Sequence, residues 1–263
     1  MSSMRASSAA VWALGLATLL FIYAPITLVI IYSFTADQTM TYPVKGWSVS
    51  WYEAVLANEP LHESFRNSVI VASISISVAL LLGIPAALAL DRFDFPGKGL
   101  LERLLVLPFV LPGMVLGVAM LALFNLAGIK LSLITVIVVH STLLLSVVIL
   151  QMGVGLKRWD RSLEQAASDL GANEWQVFWH VLLPNLRSVV IGAVLLGLTF
   201  SLDEVTRTFF VTGVDNTLPM HIFSMARQRI SPEINAVASL LFGTSLLAFL
   251  IATRVGRHRV AER

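Results

Sequence analysis

The 263-residue chain contains no cysteine. That excludes disulfides, thiolate metal sites, iron–sulfur clusters and a cysteine nucleophile. Histidine is sparse, five residues scattered without the spacing of a metal-ligand set. Charge is scarce as well. Asp, Glu, Lys and Arg make up 13% of the chain and the net charge is +2, too little to suggest nucleic acid as a partner. No Gly-x-x-x-x-Gly-Lys-Ser/Thr stretch exists, so the chain cannot cradle ATP phosphates in the Walker manner. Nor does one side of the membrane collect a Ser/His/Asp grouping or a His-rich motif that would serve an embedded enzyme.

What the chain has in excess is apolar surface. It is 57% hydrophobic, with a mean hydropathy of +0.82. A water-soluble domain cannot hide that much, so lipid is the solvent for much of it. A membrane-spanning helix needs about 20 mostly apolar residues. Six runs qualify: roughly 11–34, 67–90, 104–127, 131–156, 188–211 and 234–254. The first is too long for the apolar region of a signal peptide and has no clear cleavage site, so it reads as a retained helix. Twelve of the 18 Lys and Arg residues fall on the side that holds both termini, residues 92–103 and the 157–187 segment. The positive-inside rule makes that side cytoplasmic. An all-α polytopic membrane protein with about six spans follows, amino and carboxyl termini inside.

Two external segments are substantial. Residues 35–66 carry Trp47, Trp51 and Tyr52, which suit a short helix at headgroup depth. Residues 212–233 hold an apolar stretch over 218–226 that is too short to span and reads as a shallow external helix. In the third run, Pro108 and Pro112 each free a backbone carbonyl. Either the helix merely kinks there, or the freed groups are satisfied by neighbouring helices or a watery path.

Residues 157–187 lie between two spans and read as a helix–turn–helix. Ser162 with Gln165 fits a capping box that opens the first helix near Leu163. Gly171 is placed to end it in a left-handed turn. Asn173 with Gln176 repeats the start signal, and Pro184 sits where the chain turns into the fifth span. Leu163, Ala166, Ala167 and Leu170 share one face at helical spacing. Trp175, Phe178, Trp179 and Leu182 give the second helix a bulky face for packing under the bundle.

The same segment reads Gln165-Ala166-Ala167, three residues, Gly171, nine residues, Val181, one residue, Leu183-Pro184. It resembles the EAA loop of bacterial ABC importer permeases, with Gln165 for the usual Glu and Val181 for Ile. The resemblance implies the type I importer (MetI-like) permease fold, one transmembrane permease domain over 1–263, and a coupling loop at 157–187. It also implies that Glu164, Gln165, Ala166, Ala167, Asp169, Leu170, Gly171 and Pro184 form the ATPase-coupling surface, docked on a separate ATP-binding subunit. An amide at position 165 supplies a hydrogen bond but no ion pair. Implied partners are the ATP-binding subunits, a second permease and an extracytoplasmic substrate-binding protein, in the bacterial plasma membrane. The chain itself would bind no cofactor and no metal and carry no catalytic residue; ATP and magnesium would sit on the partner ATPase.

Downstream, Leu198-Thr-Phe-Ser-Leu-Asp-Glu-Val205, Phe210-Val-Thr-Gly213, Thr217-Leu-Pro-Met220 and Ser231-Pro-Glu-Ile-Asn-Ala236 resemble the spermidine/putrescine branch of these permeases. That implies a polyamine cargo. Relatives with other small solutes (amino-acid derivatives, opines, metals or anions) remain the alternative. From the residues alone, Asp203 and Glu204 fall near the outer end of the fifth span, where carboxylates are costly unless paired or wet. With Phe200 and Phe209 they form a candidate cargo path for a cation, Asp203 expected to be the deeper acid. The competing reading is that they bond Arg207 or backbone. Asn125, His140 and Gln151, the other polar groups within spans, read as helix–helix hydrogen bonds. A self-contained secondary transporter is the competing class, but it calls for internal repeats or buried charge pairs, and the sequence offers none.

Overall fold

A computed structural model describes residues 2–38, 40–228 and 231–261, with side chains described for 11–38, 40–228, 231–247 and 250. Arg5, Arg229 and the carboxy-terminal arginines that enter the charge asymmetry therefore lie outside the described side chains, as does the end of the sixth run. Regular structure among the described residues is helical, apart from an isolated bridge between Thr35 and Trp47. The chain divides into two compact units, one from the residues up to Leu61 with those from Ser224 onward, the other His62–Phe223.

In the first unit, α1 (Ser2–Ser33) runs beside the last helix. Its described side chains are exposed up to Pro25 and become partly buried only toward its end, as befits a helix largely solvated by lipid. The expected interfacial helix is α2 (Ser50–Ala57). Its aromatics do more than sit at a surface. Trp51 Nε1 donates to the Thr35 carbonyl at 2.8 Å, and the Tyr52 hydroxyl meets Ser33 Oγ at 2.6 Å. These bonds tie α2 to the last residue of α1 and to the turn just past it.

The second unit holds α3 (Glu59–Arg92, which begins just before it), α4 (Lys98–Val110), α5 (Gly113–Leu126) and α6 (Leu133–Lys157). Then come α7 (Ser162–Asp169), α8 (Glu174–Val177), a π-helical turn (Phe178–Leu182), α9 (Leu183–Asn185), α10 (Arg187–Leu202) and α11 (Thr206–Val211). Helix α12 (Leu218–Gln228) matches the expected short external helix, and α13 (Pro232–Ala261) completes the chain.

Helix α6 is the axis of this unit. Ser132 caps it, accepting from the Ile134 N–H at 3.3 Å, while Thr135 Oγ1 accepts from the Ser132 N–H at 2.8 Å. One core joins Ile76 and Ala79 of α3 to Leu144, Val148 and Met152 of α6, Leu182 and Ala193. A second joins Val71, Phe124, Val136, Val139 and Val211. In lipid, helices gain little from hydrophobic burial and associate through close packing. Accordingly α10 meets its neighbours through glycine. A Cβ at Gly197 would lie 2.5 Å from Ile76 Cδ1.

Two expected spans are not single helices. Run 104–127 is α4 and α5, bent by 105° at Leu111–Pro112. Pro112 has no N–H to continue the ladder, and it forces Leu111 into extended backbone (φ −64°, ψ 140°). Run 188–211 is α10 and α11, broken at Asp203–Val205. Three helices, α1, α3 and α6, are long and apolar enough to cross a membrane singly. Two bent pairs, α4–α5 and the α8–α9 segment with α10, raise the described number to five. The sixth run falls on α13, part of which lies outside the described side chains.

Candidate functional site

The 157–187 loop begins with an N-cap one step earlier than the Ser162–Gln165 box predicts. Ser162 is the first helical residue, and the Asp160 carboxylate accepts its backbone N–H at 3.0 Å. The N-cap is Arg161, whose side chain makes no capping bond; Asp160, one residue further out, takes up the first N–H instead and carries charge suited to a helix N-terminus. The Ser162 N–H and hydroxyl hold the Asp160 carboxyl below its ordinary 3.8.

The other end of α7 matches expectation. Gly171 sits at φ +89°, the Gly171 N–H bonds Ser168 O at 2.9 Å, and the Ala172 N–H bonds Ala167 O at 3.1 Å. That pair of bonds is a Schellman motif. The second box forms as read: Asn173 Oδ1 accepts from Gln176 N–H, and Gln176 Oε1 from Asn173 N–H, both at 2.9 Å. Pro184 does not mark the turn into the fifth span. The bend of 69° falls at Leu186, and the turn preceding Pro184 widens to π geometry, with Leu183 N–H bonded to Phe178 O. Proline cannot donate and its ring crowds the preceding carbonyls, and a wider turn relieves both.

The α7 face is open. Leu163, Gln165, Ala166, Asp169, Leu170 and Gly171 are exposed, Leu170 at 90%, and Ala167 is half-buried. The bulky face splits rather than packing as one surface. Leu182 is buried and Phe178 packs on the first core, but Trp175 and Trp179 are exposed at 69% and 45%. The two indoles meet edge-on at 5.5 Å and both contact the Phe178 ring, forming an exposed apolar cluster beside the open helix. Glu164 is already engaged, with Arg92 at 2.5 Å and Trp159 Nε1 at 2.8 Å. Arg161 reaches Asp91 at 2.7 Å. Two ion pairs thus fasten the loop to the end of α3. Nothing local in the sequence links positions 91–92 to 161–164, so these contacts escaped the reading of the residues.

The second candidate region surrounds the two breaks. Glu204 accepts the Arg207 backbone N–H at 2.9 Å and pairs with Arg207 Nη1, both side chains being only 10% exposed. This is the competing reading of that acid, and it holds. Arg207 Nη2 also reaches the Pro108 and Leu111 carbonyls, each at 3.4 Å. Pro108 O is the group orphaned by Pro112, so the side chain of α11 caps the broken end of α4. Asp203 caps α10. It is exposed rather than deeper than its neighbour, and its carboxylate has no ion pair among the described residues. Ending the helix at Leu202 turns Asp203 outward and Glu204 inward. Phe200 and Phe209 stand apart in their contacts. Phe200 meets Phe109 edge-on at 5.9 Å, whereas Phe209 meets Phe210 and Phe223.

His140 is a helix–helix contact, as read. Its Nδ1 lies 2.8 Å from Ser201 Oγ and its Nε2 lies 2.9 Å from Thr208 Oγ1. The Thr208 hydroxyl donates to Glu204 O at 2.7 Å. Its oxygen must then accept from Nε2–H, which leaves Nδ1 to accept from Ser201. Gln151 instead lines a cavity of about 180 Å³ with Phe109, Val147, Leu196 and Phe200. Asn125 is exposed near the end of α5.

Comparison with known proteins adds four findings. The family described as binding-protein-dependent transport system inner membrane component matches residues 79–260. The putrescine transport system permease protein PotI of Escherichia coli K12 is 32% identical over 254 residues, 92% of this chain and 90% of that protein. The spermidine/putrescine transport system permease protein PotC of Haemophilus influenzae is 32% identical over 238 residues, 90% of this chain and 92% of that protein. In fold, a bacterial alginate ABC transporter, solved in complex with an alginate pentasaccharide-bound periplasmic protein, superposes with a TM-score of 0.74. Its sequence identity is 12%, and the match covers 97% of this chain and 94% of that one.

Proposed function

The chain belongs to the family of binding-protein-dependent transport system inner membrane components, and we propose that it imports a polyamine-like organic cation. It is a permease subunit of an ABC importer, and ATP hydrolysis falls to separate subunits. A second permease and an extracytoplasmic binding protein complete the complex, in the bacterial plasma membrane. The observation that carries the cargo assignment is similarity along almost the whole of both chains to permeases named for putrescine and spermidine. The alginate transporter's periplasmic partner supports a binding protein in the same role.

The geometry supports a division of labour. The open face of α7, with Ala166, Ala167, Leu170 and Gly171, and the exposed Trp175 and Trp179, suits docking by the ATPase. The ion pairs from Glu164 and Arg161 to α3 would carry a displacement of that face into the membrane. At the outer break, Glu204 is neutralised by Arg207, so Asp203 is the carboxylate left to meet a cation. The test is uptake by the reconstituted complex of radiolabelled putrescine, spermidine and sulfate, each with wild-type chain and Asp203→Asn. Cation uptake that falls about tenfold in the variant, with assembly intact, is the expected result; a hydrogen bond to a charged group accounts for that much. Sulfate uptake, or cation uptake indifferent to the substitution, would remove Asp203 and the cationic cargo from the account.

A further inference from the structure

A second cavity lies beside the one that holds Gln151, and the two share Leu150 in their walls. It measures about 410 Å³, within the range of small-molecule sites, about 300–1,000 Å³. The smaller cavity is lined by Phe109 of α4, and the larger by Val106, Glu102 and Lys98 of the same helix. Those positions recur every three or four residues and so form one stripe. On α6 the lining passes likewise from Val147 and Gln151 to Val154 and Lys157. The two cavities are therefore successive stations along one groove between α4 and α6. It runs from the broken span to the helix ends that the Lys/Arg asymmetry places in the cytoplasm.

We propose that this groove is the cytoplasmic exit route for the cargo, walled by this chain, with Gln151 and Glu102 as its cargo-contacting groups. The proposal rests on the permease assignment above and extends it to the release side. At the first station an ammonium group meets the Gln151 amide oxygen and the Phe109 and Phe200 rings, which attract cations through their faces. At the second, Asp91 is engaged by Arg161 and Lys98 by Asp94. Glu102 and Lys157 have no ion pair among the described residues. Glu102 thus draws the cation onward, and Lys157 keeps the lining near neutral, so that cargo passes without being held. A route of this kind suits release, for which weak binding is needed.

Gly153 offers a direct test. It lines the larger cavity, and a Cβ added there meets no atom within 4 Å. Gly153→Trp should plug the groove without disturbing helix packing. With putrescine as the probe, in proteoliposomes holding the ATPase and supplied with the binding protein, Gly153→Trp should abolish uptake while the ATPase still co-purifies. Glu102→Gln should lower uptake about tenfold. Should the tryptophan variant fail to assemble, Gly153→Cys decides, since the chain has no other cysteine. A water-soluble maleimide applied from the cytoplasmic side should react with that variant and block uptake. Wild-type uptake by an assembled Gly153→Trp complex would overturn the proposal. So would a cysteine that reacts only with a membrane-soluble reagent, or reacts without loss of uptake. If the unaltered complex takes up no putrescine although the binding protein stimulates its ATPase, the cation assignment fails, and the proposal with it.

Discussion

The 157–187 loop and the paired breaks in the spans solve the same problem, unsatisfied backbone at helix ends, by opposite means. In the loop, each cap comes from within a few residues: Asp160 for Ser162, Gln176 for Asn173, and Gly171 turning the chain back onto Ala167. At the breaks, the carbonyls freed near Pro112 are met by Arg207, almost a hundred residues later, itself neutralised by Glu204. The difference follows from solvent. Water forgives an imperfect cap, so local devices suffice on the exposed loop. Within the bilayer nothing else will bond a free carbonyl, and a distant side chain must be brought to it.

Substitutions should therefore cost most at the breaks. Arg207→Met strands the Glu204 carboxylate and the Pro108 and Leu111 carbonyls, and about 3–5 kcal/mol of stability should be lost. Unfolding in detergent micelles would measure it. Replacing both partners, Arg207→Met with Glu204→Leu, should recover part of the loss, because no uncompensated charge remains. A double variant no better than the single one would show that the carbonyl contacts, rather than the ion pair, dominate.

The next largest effect belongs to Gly171. A β-branched side chain at φ +89° costs about 1–3 kcal/mol, although nothing stands within 4 Å of the added Cβ. Gly171→Val should weaken capture of the ATPase in a pull-down, whereas Gly171→Asn, which tolerates the left-handed region, should be close to wild type. Equal loss in both would mean that the docking surface excludes any side chain there, making contact rather than conformation the reason for glycine. Glu164→Gln removes one half-exposed charge pair with Arg92 and should cost no more than roughly 1 kcal/mol. Its signature would be faster hydrogen exchange across α7 with the spans unchanged.

The smallest effect is expected at Asp160, which is fully exposed. Because its carboxyl is held below the ordinary value, its capping contribution is present above about pH 4. It is lost as pH falls through the lowered value and the carboxylate takes a proton. Asp160→Asn, itself a good cap, should remove that acid dependence while leaving the amides of the first turn of α7 protected at neutral pH. Asp160→Ala should lose the protection at both.

The same contrast governs what was legible in the sequence. Capping boxes and the Schellman glycine are local patterns, so the loop was readable to within a residue or two, the exception being the start of α7, where the N-cap falls at Arg161 and Asp160 takes up the Ser162 N–H. Apolar runs gave the spans. Pro108 and Pro112 announced orphaned carbonyls, but no rule of spacing connects them to Arg207. Nor could spacing show that the helix would stop at Leu202, which is what turns Glu204 inward and leaves Asp203 exposed. Trp175 and Trp179 were expected to pack under the bundle with Phe178 and Leu182; in the fold Leu182 is buried, while the indoles pack on Phe178 and on each other and stay exposed.

The central claim, that this chain is the membrane path of an ATP-driven, binding-protein-dependent importer of an organic cation, is tested most directly by a two-by-two uptake measurement. Proteoliposomes containing the chain with its second permease and ATPase would be loaded with or without ATP. Radiolabelled putrescine would be added outside, with or without the binding protein. Accumulation only when ATP and the binding protein are both present is the predicted result. Accumulation by the chain without either, driven by a gradient alone, would contradict it and identify a self-contained transporter.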